Sequence, residues 1–343
     1  MLGEDWQACL FISSEAMASF YLTVFFCSVF LILPFNPSLA QAAGHAFIPQ
    51  EGRLLIIGQD KNTIENYIRN IGIVPGGFML YTSVQSMDGL MAPADHGGGL
   101  QDARYLMGKY PNALVQLGLY MKEGLDDVLE GRFDKNIAAL AKWLKFLKRP
   151  VYLRIGYEFD LADNNYDPVK YQNAYRYIVD RLRAEGVKNV NYVWHSAVMV
   201  DNPGKYMDWY PGDDYVDWFG ISLFSPQQIR TAEKFILLAK DHQKPVMIAE
   251  STPAGAYTVR GRLDWFKHYF DFIEQNDIRV VCYINSDWDK FPLFKSLKWG
   301  DSRIQKDQQI RELWLKEIRD NYLQASRLLF YKLSVSADDL TSP

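Results

Sequence analysis

Cysteine is scarce in this chain of 343 residues: Cys9 and Cys27 fall in the first 43 residues and Cys282 stands alone beyond them. A mature protein cleaved near residue 43 would keep one thiol and no intrachain disulfide, and no Cys/His spacing suits zinc. Blocks of Lys and Arg are also missing, and a net charge of −4 gives phosphate-tracking electrostatics nothing to work with, which argues against nucleic acid as a partner. There is no Gly-rich phosphate loop, and "HGGG" at residues 96–99 lacks the setting of a nucleophile elbow. Neither a cofactor nor a metal is expected.

Membrane-like sequence is confined to one run, "ASFYLTVFFCSVFLILP" at residues 18–34, which ends in the helix-breaking Pro34 and precedes the small-residue pattern Ala40-Gln41-Ala42. The run is short for a span and is followed by an A-x-A arrangement, so residues 1–43 are expected to be a secretory leader and the protein secreted or periplasmic. Met17 directly precedes the run, which marks residues 1–16 as a candidate misannotated start. An uncleaved anchor is the competing reading, and only then would the membrane be a partner.

What is present in quantity is apolar and aromatic residue: 48% hydrophobic, with 21 Tyr and 9 Trp, most of it expected in the core. Eight strand-like runs begin near Leu54, Gly77, Ala113, Pro150, Asn189, Val216, Pro245 and Arg279. Their hydrophobicity is nearly continuous, as parallel strands covered on both faces require. Helical spacing recurs between them, at Ile137, Leu140, Ala141 and Leu144, at Tyr171, Ala174, Tyr175 and Ile178, and at Phe266, Tyr269, Phe270 and Ile273. Asp167-Pro168 is a helix start signal. After the fifth run, two prolines and two glycines at residues 198–214 predict a short fifth helix or a loop. Eight such units without a composition break argue for an α/β fold, a single (β/α)8 TIM barrel over residues 44–324 with a tail at 325–343, packed beneath the barrel or frayed. A doubly wound open sheet is the alternative, but it would normally carry a Gly-rich turn after the first strand.

Two of the runs end in acid. "PVYLRIGYEFD" (residues 150–160) closes with Glu158, and "PVMIAEST" (residues 245–252) with Glu250. The C-terminal ends of barrel strands carry catalysis, and strands four and seven face each other across the mouth. Two carboxylates flanking one bond are what glycoside hydrolysis needs. Read alone, either acid could simply end a strand or cap a helix.

"LRIGYEF" (153–159), "YPGDDYVDWFGISLF" (210–224), "KPVMIAEST" (244–252) and "WGDSRIQ" (299–305) resemble sequences of glycoside hydrolase family 26, the β-mannanase family of a retaining (β/α)8 clan. The resemblance spans residues 54–315. It implies Glu158 as acid/base, Glu250 as nucleophile and Arg154 as a support beneath the site. Tyr157 departs from the family, which usually has His there, and so bears on the sugar next to the scissile bond. Phe224 stands where relatives often carry a Tyr near the nucleophile, leaving Tyr283 or Ser222 to supply a hydroxyl. Other candidates at the mouth are Trp194 and His195, Asp287 and Trp288 (the latter as a floor under the sugar), Tyr81 and Tyr120, and Asp160 and Asp163, which shape the loop or bind sugar. Asp213 and Asp214 read as turn and cap residues. The expected activity is retaining hydrolysis of a polysaccharide, β-1,4-mannan first, with β-1,3-xylan, mixed-linkage glucan, transglycosylation, or a catalytically silent glycan-binding barrel as alternatives.

Overall fold

The computed structural model describes residues 47–95, 97–199, 202–335 and 340; the expected leader and His96 lie outside them. Eight parallel strands form the barrel: β1 Arg53–Gly58, β2 Gly77–Ser83, β3 Leu114–Tyr120, β4 Val151–Ile155, β5 Val190–Ser196, β6 Trp218–Leu223, β7 Val246–Ser251 and β8 Val280–Ile284. Each pairs with its neighbour in sequence, and β8 pairs with β1 to close the sheet. All eight expected strands are present, and a closed parallel barrel with helices between the strands replaces any open-sheet reading.

Alternate residues of each strand serve two cores, which is why the runs read as continuously apolar. Leu54, Ile56, Met79, Tyr152, Val193, Trp218, Met247 and Cys282 fill the barrel, whereas Leu55, Ile57, Phe78, Leu153, Trp194, Phe219, Ile248 and Tyr283 face the helix layer. The helices follow the expected spacing: Asp134–Leu147 buries Ile137, Leu140, Ala141 and Leu144, and Pro168–Ala184 buries Tyr171, Ala174, Tyr175 and Ile178. The latter starts on Asp167, whose carboxylate accepts from the Lys170 N–H at 2.9 Å. After β5 the helix is one turn, Pro203–Tyr206, plus the 3-10 turn Met207–Trp209.

Residues 325–335 of the tail plug the N-terminal end of the barrel. Leu329 and Leu333 are fully buried against the same interior cluster as Phe47 and Tyr152. Lys332 carbonyl accepts from the Gln50 N–H at 3.1 Å, and the Tyr152 hydroxyl donates to the Phe47 carbonyl at 2.6 Å. Among the described residues no helix is long and apolar enough to cross a membrane.

Candidate active site

Strict alternation would turn Glu250 away from the barrel, because Met247 and Ala249 already point inward. A register shift intervenes: Ile221 pairs with Ile248, but Ser222 pairs with Glu250. The extra residue is a β-bulge, and such bulges re-aim side chains near active sites. Opposite it, Gln116 of β3 reaches across the barrel and donates its amide to the Ala249 carbonyl at 2.6 Å. The bulge turns Glu250 into the mouth, where it is 6% exposed.

Glu158 arrives by a different device. Strand β4 ends at Ile155, and both Gly156 and Glu158 then take left-handed backbone, at φ 55° and 53°. Only glycine fits at 156, since a Cβ there would lie 2.6 Å from Met121 and 2.7 Å from Tyr171. Glu158 itself holds a conformation uncommon outside glycine, of the kind found at functional sites. The surrounding loop over-determines it: the Phe159 ring stacks on Trp194 at 4.4 Å, the Asn164 amide donates to the Glu158 carbonyl at 2.9 Å, and the Asp160 carboxylate accepts from Ala197 and Met199 N–H at 2.6 and 3.1 Å.

The two carboxylates share one hydrogen-bond network. Arg154, fully buried on β4, donates from guanidinium Nη1 to Glu250 Oε1, and the Tyr81 hydroxyl donates to the same oxygen at 2.8 Å. The same Arg154 nitrogen lies 3.2 Å from His195 Nδ1, His195 Nε2 lies 3.0 Å from Ser222 Oγ, and Ser222 Oγ donates to Glu158 Oε1 at 2.7 Å. Room for this layer comes from Gly118, whose absent Cβ would meet Tyr81 at 2.6 Å and Arg154 at 3.0 Å.

Electrostatics separate the members. Burial, with the charge of Glu250 added to it, pushes the Glu158 carboxyl up to about 8. Burial lowers the His195 pKa well below the imidazole range, reinforced by the Arg154 charge, so the ring is neutral. Burial also works against the Arg154 charge, but Glu250 and Tyr81 together more than offset it and the guanidinium stays protonated. Tyr81 keeps its proton because burial and Glu250 both raise its pKa. Such a site offers one carboxyl group held protonated near neutral pH, the condition for general acid catalysis.

The structure brings Arg154, Tyr157, Glu158, His195 and Glu250 together and places other candidates elsewhere. Tyr157 lies at the mouth, its ring 5.1 Å from the Arg154 guanidinium carbon and 5.2 and 6.2 Å from the Tyr81 and Tyr120 rings. Trp194 is not at the mouth: as the neighbour of inward His195 it faces the helix layer, where it backs Phe159. Tyr283 likewise faces outward, its hydroxyl donating to the Ser302 carbonyl at 2.6 Å. Trp288 is 1% exposed, tied by its indole N–H to Thr252 and Ser302 at 3.2 and 3.1 Å and covered by Phe294 and Trp299, which leaves no open face for a sugar floor. Phe224 is partly exposed, with its ring 4.9 Å from Trp299.

The hydroxyl on Glu250 comes from Tyr81, neither from Tyr283 nor from Ser222, whose bond goes to Glu158. Parity was the signal for Tyr81, because Gly77, Met79 and Tyr81 share the inward face of β2. Asp160 shapes the loop, and Asp163 is exposed. Asp213 accepts from the Tyr210 hydroxyl at 2.5 Å, in the turn before β6. On the same C-terminal face, beyond β1 and β8, a polar groove of about 270 Å³ is lined by Asp60, Asn285, Ser286, Asp287, Phe291 and Arg303. Among the described residues no group of His, Cys, Asp and Glu has the arrangement of a metal site.

A parallel barrel with a glutamate re-aimed at the end of β4 and another at the end of β7 belongs to the class of barrel glycosidases. The sequence profile described as glycosyl hydrolase family 26 matches residues 124–311, and the chain belongs to that family. It is therefore a glycosidase with a carbohydrate substrate. The chain is 31% identical to a β-1,3-xylanase of Alcaligenes sp over 331 residues, covering 87% of this chain and 70% of the relative. A second, β-1,3-xylanase TXYA of Vibrio sp, is 30% identical, with 88% and 72% covered. In fold the chain is similar to a family 26 β-mannanase from Bacteroides ovatus, with a TM-score of 0.62 at 17% identity, covering 85% of this chain and 96% of the other.

Proposed function

We propose that this chain is a retaining endo-acting glycosidase for β-1,3-xylan, with Glu250 as nucleophile and Glu158 as acid/base. The observation that carries the mechanism is the pair itself: two inward carboxylates on one hydrogen-bond network, with Glu158 pushed up to about 8. The bonds recorded to Glu250 both fall on Oε1, which leaves Oε2 to attack the anomeric carbon. As the C1–O bond breaks, the proton of Glu158 passes to the departing oxygen. Esterified Glu250 no longer carries charge, so one of the causes raising the Glu158 pKa is gone and the same group becomes the base that activates water. A catalytically silent glycan binder has no use for a carboxyl tuned in this way. Transglycosylation would employ the same residues, and product analysis with an added acceptor sugar separates it from hydrolysis.

For the substrate, the relatives at 30 and 31% identity named as β-1,3-xylanases weigh more than a mannanase at 17% identity, and they displace β-1,4-mannan from first place. Tyr157 fits this preference. A phenol beside the pair fills more space than the imidazole usual in the family, which favours a pentose without an exocyclic CH2OH. A polymeric substrate also favours export, as the apolar run at residues 18–34 suggests; N-terminal sequencing of the mature protein tests it. The function itself is tested by incubating the purified protein with β-1,3-xylan, β-1,4-mannan and mixed-linkage glucan, resolving product sizes, and reading the first-formed anomer by proton NMR. Oligosaccharides from β-1,3-xylan with β-configured new ends are expected. Faster cleavage of mannan would overturn the substrate, and first-formed α-anomers would overturn the mechanism.

A further inference from the structure

We infer that Arg154, His195 and Ser222 form a one-way hydrogen-bond relay that commits Glu158 to carry its transferable proton on Oε2. This rests on Glu158 being the acid/base. The direction follows from chemistry at the first link. A guanidinium has donors and no acceptor, so in the Arg154–His195 contact of 3.2 Å the Nδ1 atom must accept. A neutral imidazole that accepts at Nδ1 carries its hydrogen on Nε2, and that hydrogen points at Ser222 Oγ, 3.0 Å away. Ser222 has one hydrogen to give, and with His195 Nε2 acting as donor, Glu158 Oε1 at 2.7 Å is the acceptor it meets among the described residues, so the hydroxyl donates there. Two hydrogens cannot share that contact, so the acid proton of Glu158 sits on the other oxygen.

The relay gives a single rotamer and protonation pattern to a side chain already held at φ 53°. It also ties both carboxylates to one cation, since the Arg154 nitrogen that faces His195 donates to Glu250. His195 and Ser222 are positioning residues here: both are fully buried, and they act through Glu158. Burial of Ser222 and His195 side by side on β6 and β5 is made possible by Gly220, where a Cβ would lie 2.9 Å from Val193 and 3.2 Å from His195. The charged and titratable groups around Glu158 are Glu250 on β7, Arg154 on β4, His195 on β5, and Asp160, Tyr157 and Tyr166 on its own loop.

Ser222→Ala removes one oxygen and opens little space, so the fold should survive; a thermal melt checks it. The probe is the carboxyl carbon-13 resonance of Glu158 in protein labelled at glutamate, assigned by its loss in Glu158→Gln. A donor to the carboxylate favours the charged form, so its removal should raise the Glu158 midpoint by roughly 0.5 to 1 pH unit. His195→Phe should give a smaller shift in the same direction, and none when added to Ser222→Ala. On β-1,3-xylan, Ser222→Ala should lose about tenfold in kcat with KM little changed, while a 2,4-dinitrophenyl xylobioside, whose leaving group needs no proton, keeps most of its rate.

A midpoint unmoved in Ser222→Ala overturns the relay, and so does a His195→Phe shift that persists in the double variant. A uniform loss on both substrates overturns the positioning role. Full activity of Glu158→Gln on every substrate would instead remove the acid/base assignment beneath it, an outcome the titration of the Ser222 variant does not touch.

Discussion

Replacing Glu250 by Gln isolates the charge that sits beside Glu158. The substitution keeps shape and removes one negative charge, while burial of Glu158, the first cause of its raised pKa, stays as it is. At the roughly 5.5 Å that the proposed retaining mechanism requires, two unit charges interact by roughly 3 kcal/mol at an effective dielectric of about 20. That equals about two pH units, and water at the open mouth reduces it to about one to two. Arg154 remains and continues to favour the charged form. The Glu158 midpoint, which stands at about 8 in the intact protein, should therefore fall by roughly one to two units in Glu250→Gln and still remain above an ordinary glutamate. The assay is a carbon-13 titration of the Glu158 carboxyl in both proteins, which needs no turnover. A shift under about half a unit would mean that the Glu250 charge is not felt across the site. A fall all the way to the free value would mean that burial contributes nothing. Either result would undo the electrostatic account behind the proposed roles of one glutamate as acid and the other as nucleophile.

Glu158→Gln should change how stability depends on pH. A carboxyl whose folded pKa is raised binds its proton more tightly in the native state, so wild-type stability falls as pH climbs from the unfolded pKa toward about 8. The Gln variant lacks that loss, and its advantage in urea melts should grow by a few kcal/mol between pH 4 and pH 9; an advantage constant with pH would contradict the raised pKa. Tyr81→Phe deletes a 2.8 Å hydrogen bond to Glu250 Oε1 and should lower kcat/KM by about ten- to a hundredfold with the melting temperature little changed; an unchanged kcat/KM would return Tyr81 to a packing role. Gly156→Ala combines a left-handed φ with a Cβ 2.6 Å from Met121 and should destabilise by about 2 to 4 kcal/mol in denaturant melts, with turnover lost even where the chain still folds. Truncation after Gln324 removes the buried Leu329 and Leu333 and should cost roughly 3 to 6 kcal/mol of stability; an unchanged melt would mean that the plug is dispensable.

The barrel and its two strand-end glutamates were legible because both rest on local signals. Continuous apolar runs report strands with cores on both faces, and a carboxylate at the end of such a run stands out. The helix start at Asp167-Pro168 and the shortened fifth helix are local in the same sense. Side-chain direction is harder, because it needs parity counted along each strand. Trp194 and His195 are neighbours and cannot both point into the mouth; once His195 is inward, Trp194 must join the helix layer. Cys282 and Tyr283 obey the same rule.

Glu250 shows where parity itself fails. Counted from Met247 and Ala249, it should face outward, and it faces inward only because β7 carries one extra residue relative to β6. The bulge is supported by Gln116, 133 positions away in the sequence, and no pattern within β7 announces it. The hydroxyl on Glu250 comes from β2, 169 positions away. The general consequence is that the identity of a strand-end acid can be read locally, while its aim is a property of register between strands. Register in a closed barrel is settled by all eight strands at once, so the partners that aim a catalytic group become visible only when the barrel is assembled.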